Sequence, residues 1–591
     1  MNYILSFSFL FILFSYSNFL NLKFKVKLNE TFFISSCLII LISYILFLLQ
    51  INYNIVVIKK VLFIFLLSSF ITFTYLIKNF KKINFLLNTE FILIYILIFL
   101  LSIDRYYLDQ DEFTYWGLAV KALLLDEGQY LQNFKYKFFH HPQGLNIFRY
   151  LFVAFNFDEG MIIFSNNVIL ISGFFFLFYR RVLTFFERII LYILYFLLFN
   201  NLSFGFVTIY SDPILAVFYA CLINKIFFIF NDKNFTKEFG VIIIVITILL
   251  INRSSVIYFL FGIYLAVAMY FIKNYEKKNR NFYIKFFFVI LLGLYFFYKF
   301  FLSISLMGHY ELDKIFENLF SNNIYYKQLI NLLISPIYFS SFGVTLNGIL
   351  DLIFSLNFRV YEFQIPLIIY ILLLLPFFFF KFQYRWFLLI SSIFIIVAYM
   401  IIVLVLKVGI ENLHISALPR YIGILILAKY LFIISIVVFN KQHIHKNFIF
   451  LIFLLMMFSV TPKKTLGFFA SKDIYYKSIS NKNFKTNREN ISKIQKMKNN
   501  YDNFLVVHKE NFSDFTNINV SGEHSFYHNI IEYELFPEEV KFIKFENYLL
   551  LKNNVKEKNT LKILFDLPLS DISKINNIDN NFFEIKTYSN K

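Results

Sequence analysis

The sequence predicts an α-helical polytopic membrane protein of about 14 transmembrane helices, with interfacial helices in its outer loops and a small C-terminal extracytoplasmic α/β domain. Three observations predict it. First, the 591 residues are 59% hydrophobic and only 16% charged, with a mean hydropathy of +0.65. A chain of this length facing water would need far more polar surface. Second, apolar runs recur that are each roughly 16 to 22 residues long, about the length that crosses a bilayer. Third, cations cluster in the gaps between runs: Lys23, Lys25 and Lys27; Lys78, Lys81 and Lys82; Arg180 and Arg181; Lys273, Lys277, Lys278 and Arg280. That is the positive-inside pattern, which orients spans. The net charge of +19 is thereby assigned to topology and not to nucleic acid. The 22% aromatic content, with abundant Ile, Lys and Asn, has the look of AT-biased coding. No single Phe or Tyr gains a role from frequency.

The candidate spans are 2–21, 31–50, 56–77, 84–103, 161–179, 189–207, 213–230, 239–251, 256–272, 282–302, 365–380, 386–406, 421–440 and 447–460. The first begins without a cationic segment and reads as a span, not a cleaved signal. With the gaps at 22–30, 78–83, 180–188, 231–238, 273–281, 381–385 and 441–446 in the cytoplasm, the alternation closes without conflict. The outer side then receives 104–160, 208–212, 252–255, 303–364, 407–420 and the tail from 461. Cys37 and Cys221 sit inside apolar runs and read as buried small residues, with no disulfide framework or zinc site.

Residues 1–83 form additional N-terminal transmembrane helices, and 84–460 form the core with outer loops 104–160 and 303–364. Residues 461–591 form a soluble extracytoplasmic domain, rich in Lys, Asn, Asp and Glu. Its strand-like runs include NFLVV (503–507) and KILFDL (562–567). The sequons at Asn511 and Asn519 are expected by chance in an Asn-rich chain. The expected location is the cell membrane, multi-pass.

The outer segment 104–160 is too polar to span, yet Phe113, Trp116, Val120, Leu123 and Leu124 fall on one helix face. Such a stripe suits a helix lying in the interface plane, with Trp116 at headgroup level. Its other side would carry Asp111, Glu112 and Tyr115.

Five constellations on the predicted outer side can carry chemistry. The stretch DQDE places Asp109, Asp111 and Glu112 at the mouth of the 84–103 span. Carboxylates favour the start of a helix dipole, which is the plain reading. Partial desolvation also makes a carboxylate a better general base for an acceptor hydroxyl. Asp109 and Asp111 alternatively suit a divalent cation, Mg or Mn, completed by phosphate or water. HHPQG (140–144) offers His140 and His141 to a phosphate or sugar, or is a turn with incidental imidazoles. YSDP (210–213) sets Asp212 and Pro213 at the start of a span, an ordinary N-cap with Pro in the first turn. NRSS (252–255) and LPRY (418–421) place Arg253 and Arg420 on the outer side, against the charge trend. An arginine there either snorkels to lipid phosphate or binds one phosphate with its planar fork.

In this order the motifs resemble the GT-C membrane glycosyltransferases, especially protein O-mannosyltransferases and lipid A aminoarabinose transferases. The family's acidic pair is matched by Asp111 and Glu112, its His-Pro-Pro element by His141 and Pro142, with Gln143 in place of the second proline. Its later Thr/Ser-Asp element is matched by Ser211, Asp212 and Pro213, and its Arg-Tyr by Arg420 and Tyr421. The resemblance covers roughly 84–460 and leaves 1–83 unexplained; three spans precede the one leading into the acidic loop, where the family usually has one.

The resemblance implies transfer of a sugar from a polyprenyl-phosphate donor to a hydroxyl acceptor (a glycan, lipid or protein) at the outer face, with inversion. It implies Asp111 as base and Glu112 in support. It implies His140 or His141, Arg253 and Arg420 as holders of the donor phosphate, in company with Asp212 and Tyr421. Membrane lipids surround the site, and no cofactor other than the possible divalent cation is implied. The alternatives are a surface-polysaccharide polymerase or ligase, relying on outer arginines and histidines, and a lipid-linked glycan transporter, which calls for repeats and mid-membrane charges.

Overall fold

The computed structural model describes residues 2–53, 58–103, 105–107, 113, 116–125, 143–179, 183–202, 206, 208–231 and 235–252. Further on it describes 358–360, 363–365, 424, 427–436, 491–494, 501, 503–508, 531, 533–535, 540–544, 560–565 and 582–585. The chain divides into two compact units: Met1–Arg105 with Leu123–Thr461, and Tyr106–Ala122 with Pro462–Lys591.

The first unit is helical. Its described helices begin with α1 (Asn2–Phe24), α2 (Thr31–Tyr53), α3 (Ile58–Lys78) and α4 (Phe85–Ser102); α5 (Gly117–Leu125) straddles the division, with all but its last three residues in the second unit, and α6 (Gly144–Val153) returns to the first. They continue with α7 (Glu159–Phe178), α8 (Phe185–Leu202), α9 (Asp212–Asn231), α10 (Phe235–Asn252) and α11 (Leu427–Ile436). Among the described residues, five helical stretches are long and apolar enough to cross a membrane: Ile4–Phe24, Leu28–Gln50, Lys60–Lys78, Phe85–Ser102 and Glu159–Phe178. The candidate spans 256–272, 282–302, 386–406 and 447–460, and 365–380 beyond Ile365, lie outside the described residues. In the loop 303–364 the described part is the start of an antiparallel hairpin, β1 (Phe358–Val360) with β2 (Phe363–Ile365), in register Val360 to Phe363.

Helix α7 lies at the centre of this unit. All its residues are buried, and α2, α4, α6 and α9 pack around it. Its start is set by Asp158, whose carboxylate accepts from Met161 N at 2.9 Å; a cap of this kind is worth about 1 kcal/mol. Its contact with α9 is close because Gly173 has no side chain: a Cβ there would meet Val217 Cγ1 at 2.1 Å. Phe32, Phe91 and Phe175 join α2, α4 and α7, with Phe32 stacked on Phe91 at 3.7 Å. Large apolar side chains on the outer faces of α3 and α4, among them Phe63, Phe70, Ile71, Leu93 and Leu100, remain exposed. An exterior of this kind is compatible with a lipid surround.

Polar side chains inside the helical unit pair across helices. Asn18 and Asn88 exchange amide hydrogen bonds at 3.1 and 3.0 Å. Ser17 meets Thr31 at 2.6 Å, and Asn224 donates to Ser435 Oγ at 2.7 Å, which ties α9 to α11. Each such bond is worth roughly 0.6–2 kcal/mol in a membrane setting. At one end of the unit, Arg188 meets Glu90 at 2.8 Å and Lys225 meets Glu30 at 2.6 Å. Both pairs join ends that the sequence assigns to the same side. Thr184 and Glu187 cap α8 reciprocally, N–H to Oε2 at 2.8 Å and N–H to Oγ1 at 3.3 Å. Cys37 and Cys221 are buried and free.

The helices of residues 1–83 are built into this unit. Helix α2 packs on α6, α7 and α10, and α1 packs on α2, α3 and α6. Asn29 donates to the Phe176 carbonyl at 2.9 Å, and Ser36 meets Ser172 at 3.3 Å.

The second unit carries a parallel four-stranded sheet, in order β4-β3-β5-β6. Its strands are β3 (Asn503–His508), β4 (Val540–Lys544), β5 (Thr560–Phe565) and β6 (Phe582–Ile585). Of the central strands, β3 carries a continuous apolar run and β5 an apolar run interrupted by Lys562; Phe504, Val506, Val507, Leu561, Ile563 and Leu564 are all buried. The aromatic stripe expected at the membrane interface is instead buried in protein. Phe113 is inaccessible and packs on Tyr107 and Tyr533, and Trp116 is 6% exposed. Helical periodicity identifies the buried face of α5 but not what covers it.

Candidate functional site

The site is best built from α6 upward. Its sequence GLNIFRYLFV is apolar except for Asn146 and Arg149, three residues apart and so on one face. Arg149 is completely buried. Its guanidinium is shared among three elements: Nη1 donates to Asn146 Oδ1 at 2.7 Å, Nε to Asn166 Oδ1 of α7 at 2.9 Å, and Nη2 to the Ile209 carbonyl. Asn146 in turn donates to Gln143 Oε1 at 2.7 Å. A rigid planar fork can satisfy three fixed acceptors at once; an ammonium on a flexible stem does so poorly.

The same network holds the turn before α9. Asn166 Nδ2 reaches the carbonyls of Thr208 and Tyr210 at 3.1 and 3.4 Å. Tyr210 N–H donates to Thr208 Oγ1 at 3.1 Å. Asn167 fixes the preceding residue, donating to the Phe206 carbonyl at 2.8 Å and to Ser102 Oγ at 3.0 Å. Helix α9 then starts one residue earlier than a cap at Asp212 would have it: the Ser211 carbonyl accepts from Leu215 N at 2.9 Å. Asp212 is therefore the first helical residue, 2% exposed, with its carboxylate at the positive end of the helix dipole.

The carboxyl end of α10 closes on the start of α6. A Cβ on Gly144 would meet Asn252 Oδ1 at 2.7 Å and the Ile251 carbonyl at 2.8 Å. Only glycine allows the two backbones this close. Two buried polar atoms of the region, Ser211 Oγ and Asn252 Oδ1, have no hydrogen-bond partner among the described residues. A buried polar atom left unmatched costs about 1–3 kcal/mol, which makes both notable in a native fold.

Of the residues singled out from the sequence, Asp212 is described. Asp109, Asp111, Glu112, His140, His141, Arg253, Arg420 and Tyr421 lie outside the described residues. Their neighbours nonetheless relate three motifs. Gln143 and Gly144 end HHPQG, Asn252 begins NRSS, and Tyr210, Ser211 and Asp212 belong to YSDP. The Gly144–Asn252 contact joins the first to the second, and Arg149 joins the first to the third. Among the described residues no group of three or more His, Cys, Asp or Glu side chains is arranged to hold a metal ion. Arg149, Asn146 and Asn166 were not singled out. The signal for them was an ionisable or amide side chain inside an apolar run, which marks an interior position in a membrane helix.

No family model, curated protein or solved structure matches the chain.

Proposed function

We propose that the chain is a membrane glycosyltransferase of the GT-C kind, moving a sugar from a polyprenyl-phosphate donor to a hydroxyl acceptor at the extracytoplasmic face. The observation that carries the reading is the ordered set of motifs Asp111-Glu112, His141-Pro142, Ser211-Asp212-Pro213 and Arg420-Tyr421. The contacts that bring the flanks of HHPQG, YSDP and NRSS together support it. So do Ser211 Oγ, which can donate or accept, and Asn252 Oδ1, which can accept, both without a partner among the described residues.

In this mechanism the Asp111 carboxylate takes the proton of the acceptor hydroxyl. The acceptor oxygen attacks the anomeric carbon from the face opposite the phosphate. The bond from that carbon to the phosphate oxygen breaks, and polyprenyl phosphate leaves with the electron pair. The configuration inverts. Arg253, Arg420 and a histidine of the His140–His141 pair offset the charge that grows on the phosphate.

The test is release of polyprenyl phosphate from radiolabelled polyprenyl-phosphate sugars by the purified full chain, with crude envelope glycans and lipids as acceptors. Asp111→Asn abolishes release while the protein stays folded. Wild-type turnover retained by Asp111→Asn refutes the role of Asp111. Loss of turnover in EDTA, restored by added Mg or Mn, shows that a divalent cation takes part.

A second reading, a lipid-linked glycan transporter, draws on the fully buried Arg149, since ionisable groups in the interior of a helical membrane unit often mark transport paths. Movement of labelled donor across a proteoliposome membrane without cleavage would select it.

A further inference from the structure

The start of α9 and the end of α10 meet at one end of the helical unit. The two helices pack along each other, and residues 232–234 separate them in sequence. A link that short joins antiparallel neighbours. Ser211, just before α9, and Asn252, the last residue of α10, therefore lie at the same end. Helix α6 touches both: Gly144 at its start stands against Asn252, and Arg149 holds the Ile209 carbonyl two residues before Ser211.

Both side chains are buried, Ser211 at 0% and Asn252 at 1% exposed. Ser211 Oγ and Asn252 Oδ1 have no hydrogen-bond partner among the described residues. Native folds seldom leave two such atoms in one region. The way round of the Asn252 amide is fixed, because Nδ2 donates to the Ile248 carbonyl at 2.7 Å. Turned over, the amide would set oxygen against oxygen. Oδ1 is thus a fixed acceptor that calls for a donor.

Hydrogen-bond polarity and charge together choose the ligand. Arg149, the cation of α6, is committed to Asn146, Asn166 and the Ile209 carbonyl. Asp212, next to Ser211, brings a carboxylate that is 2% exposed. An ionised phosphate only accepts hydrogen bonds and is negative. Placed here, it sets its oxygens against an amide oxygen and a carboxylate. Sugar hydroxyls match instead: they donate to Asn252 Oδ1 and exchange hydrogen bonds with Ser211 Oγ, which can do either.

We propose that Ser211 and Asn252 form a subsite for the hydroxyl groups of a sugar, not for phosphate. A site built to bond a hydroxyl rejects the analogue that lacks it, because its own polar atoms are then left unmatched. The two residues accordingly determine which sugar enters. That this sugar is the one carried by the donor rests on the glycosyltransferase reading; that the subsite takes a hydroxyl does not.

Thermal unfolding of the purified full chain in detergent tests the subsite without turnover, with glucose, galactose, mannose, xylose or inorganic phosphate added. At least one of the sugars raises the melting temperature of the wild type. The apparent affinity for that sugar falls about fivefold in Ser211→Ala and in Asn252→Leu, the loss of one neutral hydrogen bond. Ser211→Ala removes a single oxygen and carries the test if Asn252→Leu fails to fold. Three results overturn the inference: no sugar-dependent shift in the wild type, a shift that Ser211→Ala keeps in full, or a phosphate-dependent shift that Ser211→Ala abolishes. With lipid ligands, Ser211→Ala binds polyprenyl-phosphate sugar about fivefold more weakly and binds polyprenyl phosphate alone like the wild type. Equal weakening of both assigns Ser211 to the phosphate and overturns the inference. A wild type that binds free sugar but cleaves no polyprenyl-phosphate sugar removes the glycosyltransferase reading and leaves the subsite standing.

Discussion

Lys225 and Arg149 are both buried cations of the helical unit, yet they are held by different chemistry. Lys225, within α9, faces the Glu30 carboxylate at 2.6 Å. Arg149, on α6, spreads its fork over two asparagine side chains and the Ile209 carbonyl. The first contact joins two charges and welds α9 to the short turn before α2. The second arranges a stretch of backbone, the one that leads into Asp212. A buried ion pair can be replaced by apolar groups of similar volume at little cost. A guanidinium serving amides and a carbonyl cannot, because each acceptor left behind needs another donor. The Lys225 end therefore reads as architecture, and the Arg149 end as a shaped site.

The comparison breaks if the two ends respond alike. The largest effect is expected from Glu30→Ala, which removes the carboxylate that the buried Lys225 ammonium faces, at a cost of about 3–5 kcal/mol. Thermal unfolding in detergent reads it. The double variant Glu30→Leu with Lys225→Met recovers most of that loss, and failure to recover assigns the pair a role beyond packing. Next comes Arg149→Lys, which keeps the charge and loses the fork. It costs about 2–3 kcal/mol, with a fall in transfer activity that exceeds the effect of Glu30→Ala at equal residual fold. Ser211→Ala should be near neutral in stability, within about 1 kcal/mol, because its hydroxyl has no partner to lose among the described residues. A rise in donor KM for this variant would show that the hydroxyl meets the ligand.

The smallest effect concerns the sheet. Desolvation pushes the Lys562 ammonium below its usual value of 10.5. The folded chain then binds that proton less tightly than the unfolded chain. Stability accordingly rises as pH climbs through the window between the lowered value and 10.5, and it is reduced below that window. Lys562→Met removes the slope and slightly raises the melting temperature at neutral pH.

Much of this was legible in the sequence. The candidate spans from 2–21 through 239–251 each overlap a described helix, because an apolar run of that length has few other ways to satisfy its backbone. The runs at 503–507 and 562–567 overlap β3 and β5. The stripe of Phe113 and Trp116 was read as a face lying in the membrane interface, but lipid and protein leave the same periodicity, and here protein covers it. Asp212 was visible as a helix start; Arg149 behind it was not, because its acceptors come from α6, from α7 and from the stretch before α9. Nor does local sequence reveal that Tyr533 reaches back to Tyr107 and Phe113.

The Glu30–Lys225 contact also has a consequence for biosynthesis. A ribosome adding about 5–20 residues per second makes Glu30 roughly 10 to 40 seconds before its partner exists. Through that interval the first hairpin of the chain waits without the Lys225 ammonium, and this contact forms only when α9 arrives. Stalling translation before and after residue 225 should therefore divide nascent chains into extractable and firmly assembled populations.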